Sequence, residues 1–274
     1  MKYTHFKIGV LSLALSGILF FASCNRKDKG KDNDTELASD HNFSENTYND
    51  VLNIADEASE KNTGENLDNY KTASNCATIT HDTTSAIRTI TIDFGPTNCL
   101  CNDGRSRRGK ILVSYTGRYR DTGSVHTITF DGYHVNDHHI MGSKTVTNAG
   151  LNAANQTYFT IVVNGLIVKS TGDSISWTSN RTRTWTQGES TIGNKMDDVY
   201  EITGSASGTK GSNSYTMTII QPLVKSLACN WISAGIIELQ PSGKALRTIN
   251  FGTGNCDNIA TVTIGGTAHT ITLN

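Results

Sequence analysis

Residues 174–188, SISWTSNRTRTWTQG, combine two side-chain chemistries at alternate positions of one predicted strand. The odd positions include Trp177, Arg181, Arg183 and Trp185, whereas the even positions carry Ser, Thr and Asn. Guanidinium groups bind carboxylate, sulfate or phosphate through paired hydrogen bonds, and they stack on indole rings. Aromatic platforms flanked by arginine also bind sugars. We therefore predict that these four residues bind a ligand on an open concave surface, with an anionic glycan as the favoured ligand.

Two other interpretations of this segment remain open. The Trp and Arg side chains could form a cross-strand ladder that only stiffens the sheet. Alternatively, a β-bulge at Ser179-Asn180 would reverse the alternation and turn both arginines to the outside.

A second group of cations lies in DGRSRRGKILVSYTGRYR, across one predicted hairpin. Arginine suits flat, two-pronged contact with an anionic partner. We predict that Arg105, Arg107 and Arg108 contribute to anion binding. The alternative is a solvated turn that faces the acidic segment near the N-terminus.

Signatures of catalysis are mostly missing from the sequence. It has no G-x-S-x-G, no H-E-x-x-H and no phosphate-binding glycine loop. The cluster at His134, Asp137, His138 and His139 has the chemistry of a metal site, but its VNDH segment is typical of a hairpin tip. We therefore predict no cofactor and no metal, and we favour a non-catalytic protein.

The alternative function is a glycan-active hydrolase. Its acid and base would come from Asp197, Asp198 and Glu201, because paired carboxylates can flank a glycosidic bond.

The N-terminus predicts export. Lys2 and Lys7 precede an apolar run of 14 residues at 8–21, shorter than the about 20 that a membrane-spanning helix needs. The run ends in FFASC, which resembles the lipobox of bacterial lipoprotein signal peptides. The resemblance implies a signal peptide at 1–23 and a lipid-modified Cys24. Several acyl chains on one residue anchor a protein stably to a membrane.

Residues 25–70 contain 12 acidic and five basic residues, a net charge of −7. Low hydrophobicity with high charge predicts a disordered tether over 24–70. Within it, Tyr48, Val51, Leu52, Ala55 and Ala58 recur at helical spacing, which indicates a short helix at 47–60. We expect this helix either to dock on the following domain or to form only transiently.

Residues 71–274 read as short strands in which apolar residues alternate with threonine, as in "TITIDFG" and "TYFTIVV". Turn residues separate the strands. We predict an all-β domain over 71–274, an antiparallel meander of about twelve strands. Periodicity leaves a curled sheet, an open barrel and a sandwich as alternatives.

Two segments repeat the motif F-G-x-x-N-C, from Phe94 to Cys99 and from Phe251 to Cys256. Each has another cysteine about one hairpin earlier, and export allows cysteines to pair. We predict the disulfides Cys76–Cys99 and Cys229–Cys256, with Cys101 left over. An alternative scheme uses Cys101 in place of Cys99.

The mature chain resembles uncharacterised lipoproteins of the Bacteroidota. The resemblance rests on the lipobox, the polar tether, TITIDFG…GR.RRGKI, W.S.RTR.W and DDVYEITGSASG. It implies an all-β lipoprotein of the cell envelope, attached to the outer membrane, with the periplasmic and the surface face both open. It carries over no activity and no site residue.

We therefore expect a membrane-anchored binding or scaffold protein, with an anionic polysaccharide as partner. A purely structural surface lipoprotein is a further alternative. Nucleic acid is not expected as a partner, because the chain is exported and residues 71–274 carry a net charge of only +4.

Overall fold

A computed structural model describes residues 1–3, 32–60, 76–191 and 194–273. Residues 32–274 form one compact unit, and residues 1–31 belong to a separate one. Cys24 and the signal peptide expected at 1–23 lie outside the described residues, apart from 1–3. Within the described ranges, no helix is long and apolar enough to cross a membrane.

The described part of the large unit contains one antiparallel sheet of 14 strands and one long helix, α1 (Glu36–Glu60). A single 3-10 turn, Lys195–Asp197, precedes β9. The strands are β1 Thr78–Asp82, β2 Arg88–Asp93, β3 Cys99–Leu100, β4 Ser106–Tyr115, β5 Val125–Val135, β6 His138–Leu151, β7 Thr157–Val168, β8 Ser174–Gln187, β9 Val199–Lys210, β10 Asn213–Ser226, β11 Ala234–Pro241, β12 Arg247–Thr253, β13 Ile259–Ile264 and β14 Thr267–Thr272.

Almost every strand pairs with its neighbours in sequence, so the sheet is a meander that runs from β1 to β14. Only the two-residue β3 departs from this order, because it pairs with β4 beside β2. The all-β meander is confirmed. Of the three alternatives, the structure matches the curled sheet, because it has one sheet that is not closed. The sheet has fourteen strands, whereas about twelve were expected.

Alternation along each strand separates an inner face, which α1 covers, from an outer face. In β7 every second residue from Phe159 to Ile167 is buried, and Thr160, Val162 and Asn164 between them are exposed. One continuous hydrophobic core runs from α1 through the inner face to β14. Threonine suits the outer face because its branched side chain favours extended backbone and its hydroxyl remains solvated.

Helix α1 corrects the expectation of a disordered tether within 32–60, and the remainder of the expected tether, 24–31 and 61–70, lies outside the described residues. The helix begins at Glu36, earlier than the predicted start at residue 47, and it belongs to the same compact unit as the sheet. The five residues that predicted a helical face are all buried, at 0–5 % relative exposure. Composition alone suggested disorder because it omits the partner surface on which this polar helix folds.

Tyr48 fixes the position of α1 on the sheet. Its ring lies against Gly165 in β7, and its hydroxyl donates to the backbone oxygen of Met141 at 2.8 Å. A Cβ atom on Gly165 would stand 2.1 Å from the Tyr48 hydroxyl oxygen. Glycine is therefore required here for close helix approach rather than for a turn.

Both predicted disulfides are present. Cys76–Cys99 encloses the β1–β2 hairpin and Cys229–Cys256 encloses β11–β12, with Cα–Cα distances of 5.7 and 5.6 Å. Cys101 is free and buried.

The two F-G-x-x-N-C segments also share a local geometry. Gly95 donates its backbone N–H to Asp93 Oδ1, and Gly252 donates to Asn250 Oδ1, both at 2.8 Å. Both glycines have positive φ, 79° and 91°. The repeated sequence motif therefore corresponds to a repeated local structure, in which a strand ends in a side-chain-capped glycine turn that leads to a disulfide.

The substitution Gly165→Ala tests the docking of α1. We expect it to lower the free energy of unfolding by about 2 kcal/mol, because the added methyl group overpacks the contact with Tyr48. Urea unfolding should measure this loss, and Gly165→Ala should cost much less in a Tyr48→Leu background. An equal cost in both backgrounds would contradict the contact.

Candidate functional site

Strand β8 has the alternation that its sequence predicts. Trp177, Arg181, Arg183 and Trp185 all point to the inner face, and their relative exposure is 1–6 %. Pairing with β7 and β9 is regular through Ser179-Asn180, so the alternative with a bulge at that position is wrong.

The open concave surface expected at these residues is not present, because α1 covers it. The Tyr48 ring stacks on the Trp177 indole, with a centroid distance of 5.5 Å and an interplanar angle of 11°. Glu45 accepts a hydrogen bond from Arg181 Nη2 at 2.6 Å. The helix thus places an aromatic ring and a carboxylate where a ligand was expected.

The free-energy cost of separating α1 from β8 indicates that this contact is part of the protein interior. Exposing Tyr48, Val51 or Leu52 would cost about 1.5–3 kcal/mol each. Stripping a buried arginine such as Arg181 of its carboxylate would cost about 3–5 kcal/mol more. A glycan offers no comparable apolar burial, so Trp177 and Arg181 serve the packing of α1.

Charge complementarity explains why the acidic N-terminal segment is ordered. In every described ion pair between residues 32–60 and the sheet, the acid is on the N-terminal segment and the base is on the sheet or its loops. One further contact, His41–Glu45, lies within the helix. The pairs are Asp32–Arg247, Asp34–Lys244, Glu36–Lys210, Asp40–Lys169, Asp40–Lys210, Glu45–Arg181, Asp50–Arg105 and Asp50–Arg107. The acidic N-terminal segment and the mildly basic sheet therefore attract each other within one molecule, which accounts for the charge asymmetry of the sequence.

The three arginines of the β4 region have different environments. Arg107 is fully buried and pairs with Asp50 at 2.8 Å and with Asp103 at 2.6 Å. Arg108 pairs with Asp137 and donates to Asn98 at 2.8 Å. The Arg105 side chain is 31 % exposed and pairs with Asp50 at 3.0 Å. The alternative in which this turn faces the acidic segment therefore describes Arg105 and Arg107.

Arg183 and Trp185 lie toward the far end of β8, in an aromatic cluster. Arg183 Cζ is 4.0 Å from the centroid of Tyr200, and Nη2 donates to the Tyr119 hydroxyl at 2.6 Å. Arg120 covers Trp185 at 4.4 Å. These contacts make a cation–π layer inside the protein.

The carboxylates of the hydrolase alternative do not converge. Asp198 is buried, and burial raises its pKa to about 6, whereas Glu201 is exposed on the outer face of β9. Asp197 accepts a hydrogen bond from the Thr191 hydroxyl at 2.8 Å. An acid and a base must face a common bond, and Asp198 and Glu201 lie on opposite sides of the sheet.

The histidine cluster also has internal partners. His134 stacks on His139 with a centroid distance of 4.4 Å, and His138 Nδ1 accepts from the backbone N–H of Ser170 at 3.0 Å. Asp137 is held by Arg108. Across the described part of the chain, no group of three or more His, Cys, Asp or Glu residues has the arrangement of a metal site.

A polar cleft of about 280 Å³ opens where α1 leaves part of the inner face uncovered. One wall is an amide row on α1, formed by Asn46, Asn49 and Asn53. The opposite side contains Arg105 and Lys225. The remaining lining residues are Asp50, Asn102, Asp103, Met196, Leu227, Ala228, Cys229, Asn230 and Ile232.

Sequence reasoning assigned only Arg105 among these residues to ligand binding, and it assigned Cys229 to a disulfide. The amide row was detectable, since asparagines at steps of three and four residues share one face of a helix. Lys225 had no signal in the sequence, because only tertiary contact brings the end of β10 to the helix.

Comparisons with family models, curated proteins and solved structures find no match for this chain.

His41 is a titratable group sealed inside the interface. It is 1 % exposed, and its Nδ1 accepts a hydrogen bond from Trp177 Nε1 at 3.3 Å, so the proton of the neutral ring is on Nε2. Nε2 lies 4.0 Å from Glu45 Oε2. Burial lowers the pKa of His41 to about 4, although Glu45 opposes the shift; Arg181 adds to it.

We expect the stability that depends on His41 to be complete above pH 6.5 and to fall as the pH drops toward 4, because only the unfolded state takes up the proton there. The loss approaches about 3 kcal/mol. Urea unfolding at several pH values should show a shallower dependence in His41→Gln than in the wild type. His134→Gln, outside the interface, is the control, and equal slopes in His41→Gln and the wild type would contradict the assignment.

Proposed function

We propose that this chain is a lipoprotein of the bacterial cell envelope, anchored to the outer membrane through lipid on Cys24, that binds a ligand without catalysis. The resemblance of FFASC to a lipobox supports the anchor. The favoured ligand is an anionic glycan, and its site is the cleft between α1 and the Cys229 loop.

The amide row is the observation that carries the ligand proposal. An asparagine side chain has both donors and an acceptor, which matches sugar hydroxyls that also donate and accept. Within the row, Asn49 already bonds to Glu45 and Lys144. Asn53 makes no side-chain hydrogen bond to another described residue, so its amide is available to a ligand. Arg105, at 31 % exposure, adds a cation that suits an acidic sugar.

The proposal moves the glycan from the site expected on β8. Of the seven residues first assigned to ligand binding, Arg105 alone lines the outer, 280 Å³ part of the cleft. Trp177, Arg107 and Arg181 hold α1 in place. Arg183 and Trp185 belong to the aromatic cluster at the far end of β8, and Arg108 pairs with Asp137.

Lipid attachment is tested by Cys24→Ser. We expect this change to abolish incorporation of labelled palmitate and to release the protein from the membrane fraction, because the acceptor thiol is lost. Cys101→Ser is the control and should retain the label, and labelling that persists in Cys24→Ser would refute the anchor.

Glycan binding is tested with the full chain in detergent micelles on an array of acidic and neutral glycans. We expect Asn53→Leu to weaken binding about fivefold, the effect of one hydrogen bond of roughly 1 kcal/mol. Arg105→Gln should weaken the binding of acidic glycans more than the binding of neutral ones.

Asn180→Leu, on the exposed outer face of β8, is the matched control and should bind as the wild type does. If no glycan binds the wild type, the ligand proposal is wrong and the purely structural alternative is favoured.

A further inference from the structure

Two buried lysines on the inner face lack an acidic partner. Lys144 is 2 % exposed and Lys225 is 8 % exposed. Across the described residues, neither amine has a carboxylate oxygen within 4.0 Å. Other buried cations of this face, such as Arg107 and Arg181, do have one.

The contacts of both amines are neutral acceptors. Lys225 Nζ donates to the backbone oxygen of Cys229. Lys144 Nζ donates to the backbone oxygen of Tyr48 at 2.8 Å and approaches Asn49 Oδ1 at 3.4 Å. A buried ammonium group without a counter-ion is costly, and burial lowers the pKa of Lys225 to about 8 and that of Lys144 to about 7.

Both lysines line one small cavity of about 20 Å³ beneath α1. This cavity shares Asn49, Asn53, Lys225 and Leu227 with the cleft, so the two spaces adjoin, and the cavity is called the inner end below. Its volume holds about one water molecule. The Ser179 hydroxyl lines this cavity, is buried and has no hydrogen-bond partner in the described structure.

The inner end is positively charged. The side chains of Lys144, Arg181, Arg183 and Lys225 line it, and Glu45 is the acidic residue among its lining. At the mouth, Asp50 and Asp103 offset Arg105. The potential therefore becomes more positive from the mouth inward, which favours an entering anion.

We propose that Lys225 is the charge-recognising residue of the cleft and binds an oxyanion, a carboxylate or a sulfate, carried by the ligand. The inference rests on the proposed function for the identity of the ligand as a glycan. The anionic group passes Arg105 and Asn53 and stops at Lys225, because the space beyond accepts only a water-sized group.

The test follows the Lys225 side chain by NMR in the full chain while sodium sulfate or sodium acetate replaces sodium chloride at constant ionic strength. We expect the Lys225 resonance to shift saturably with at least one oxyanion, and its titration midpoint to rise. Which salt produces the shift distinguishes sulfate from carboxylate. Absence of a saturable shift with both salts would overturn the assignment.

Lys225→Met should abolish saturable oxyanion binding, measured by calorimetry, whereas Lys110→Met, a change to a half-buried lysine of β4 outside the cleft, should leave it intact. On the glycan array, Lys225→Met should lose at least tenfold in affinity for acidic glycans and keep any binding of neutral ones.

The two proposals fail differently. An oxyanion response at Lys225 with no glycan bound on the array would refute the glycan and support the anion site. Acidic glycans bound equally by wild type and Lys225→Met would refute the role of Lys225 and support the glycan.

Discussion

The contact between an acidic helix and a basic inner face is the interaction on which the architecture depends. Helix α1 has too little apolar surface to fold alone, and the inner face of the sheet carries Arg107 and Arg181, which are buried with a carboxylate of α1 beside them. The sheet gives α1 an apolar surface on which to fold, and α1 gives the buried arginines their carboxylates. Glu45 neutralises Arg181, and Tyr48 fills the space above Gly165 beside Trp177.

The candidate site follows from the same contact, because one helix cannot cover the whole inner face of fourteen strands. Where the coverage ends, the amides of α1 face Arg105 and Lys225 across the cleft. The disulfide Cys229–Cys256 tethers the loop that forms the cleft's far wall, and the backbone of Cys229 holds the Lys225 amine. Fold stability and site geometry therefore share residues.

Local rules account for most of the fold. Alternation identified the strands, and the F-G-x-x-N-C echo located both disulfides, because hairpin ends meet in space. The candidate site was much less accessible to such reasoning. Trp177, Arg181 and Arg183 were placed on the correct face of β8, but they proved to be covered, since alternation gives the side of a strand and not what lies above it.

The sequence by itself determined the all-β meander, the buried face of strands such as β2 and β4, and the pairing of the cysteines, because these depend on neighbours within one or two hairpins. Tertiary structure alone decided that the helix predicted at 47–60 begins at Glu36 and is docked, and that Lys225 lines the same cleft as Asn49 and Asn53. Helix and β10 are far apart in the chain. Their charges act through space, and composition records how many charges there are but not which of them meet.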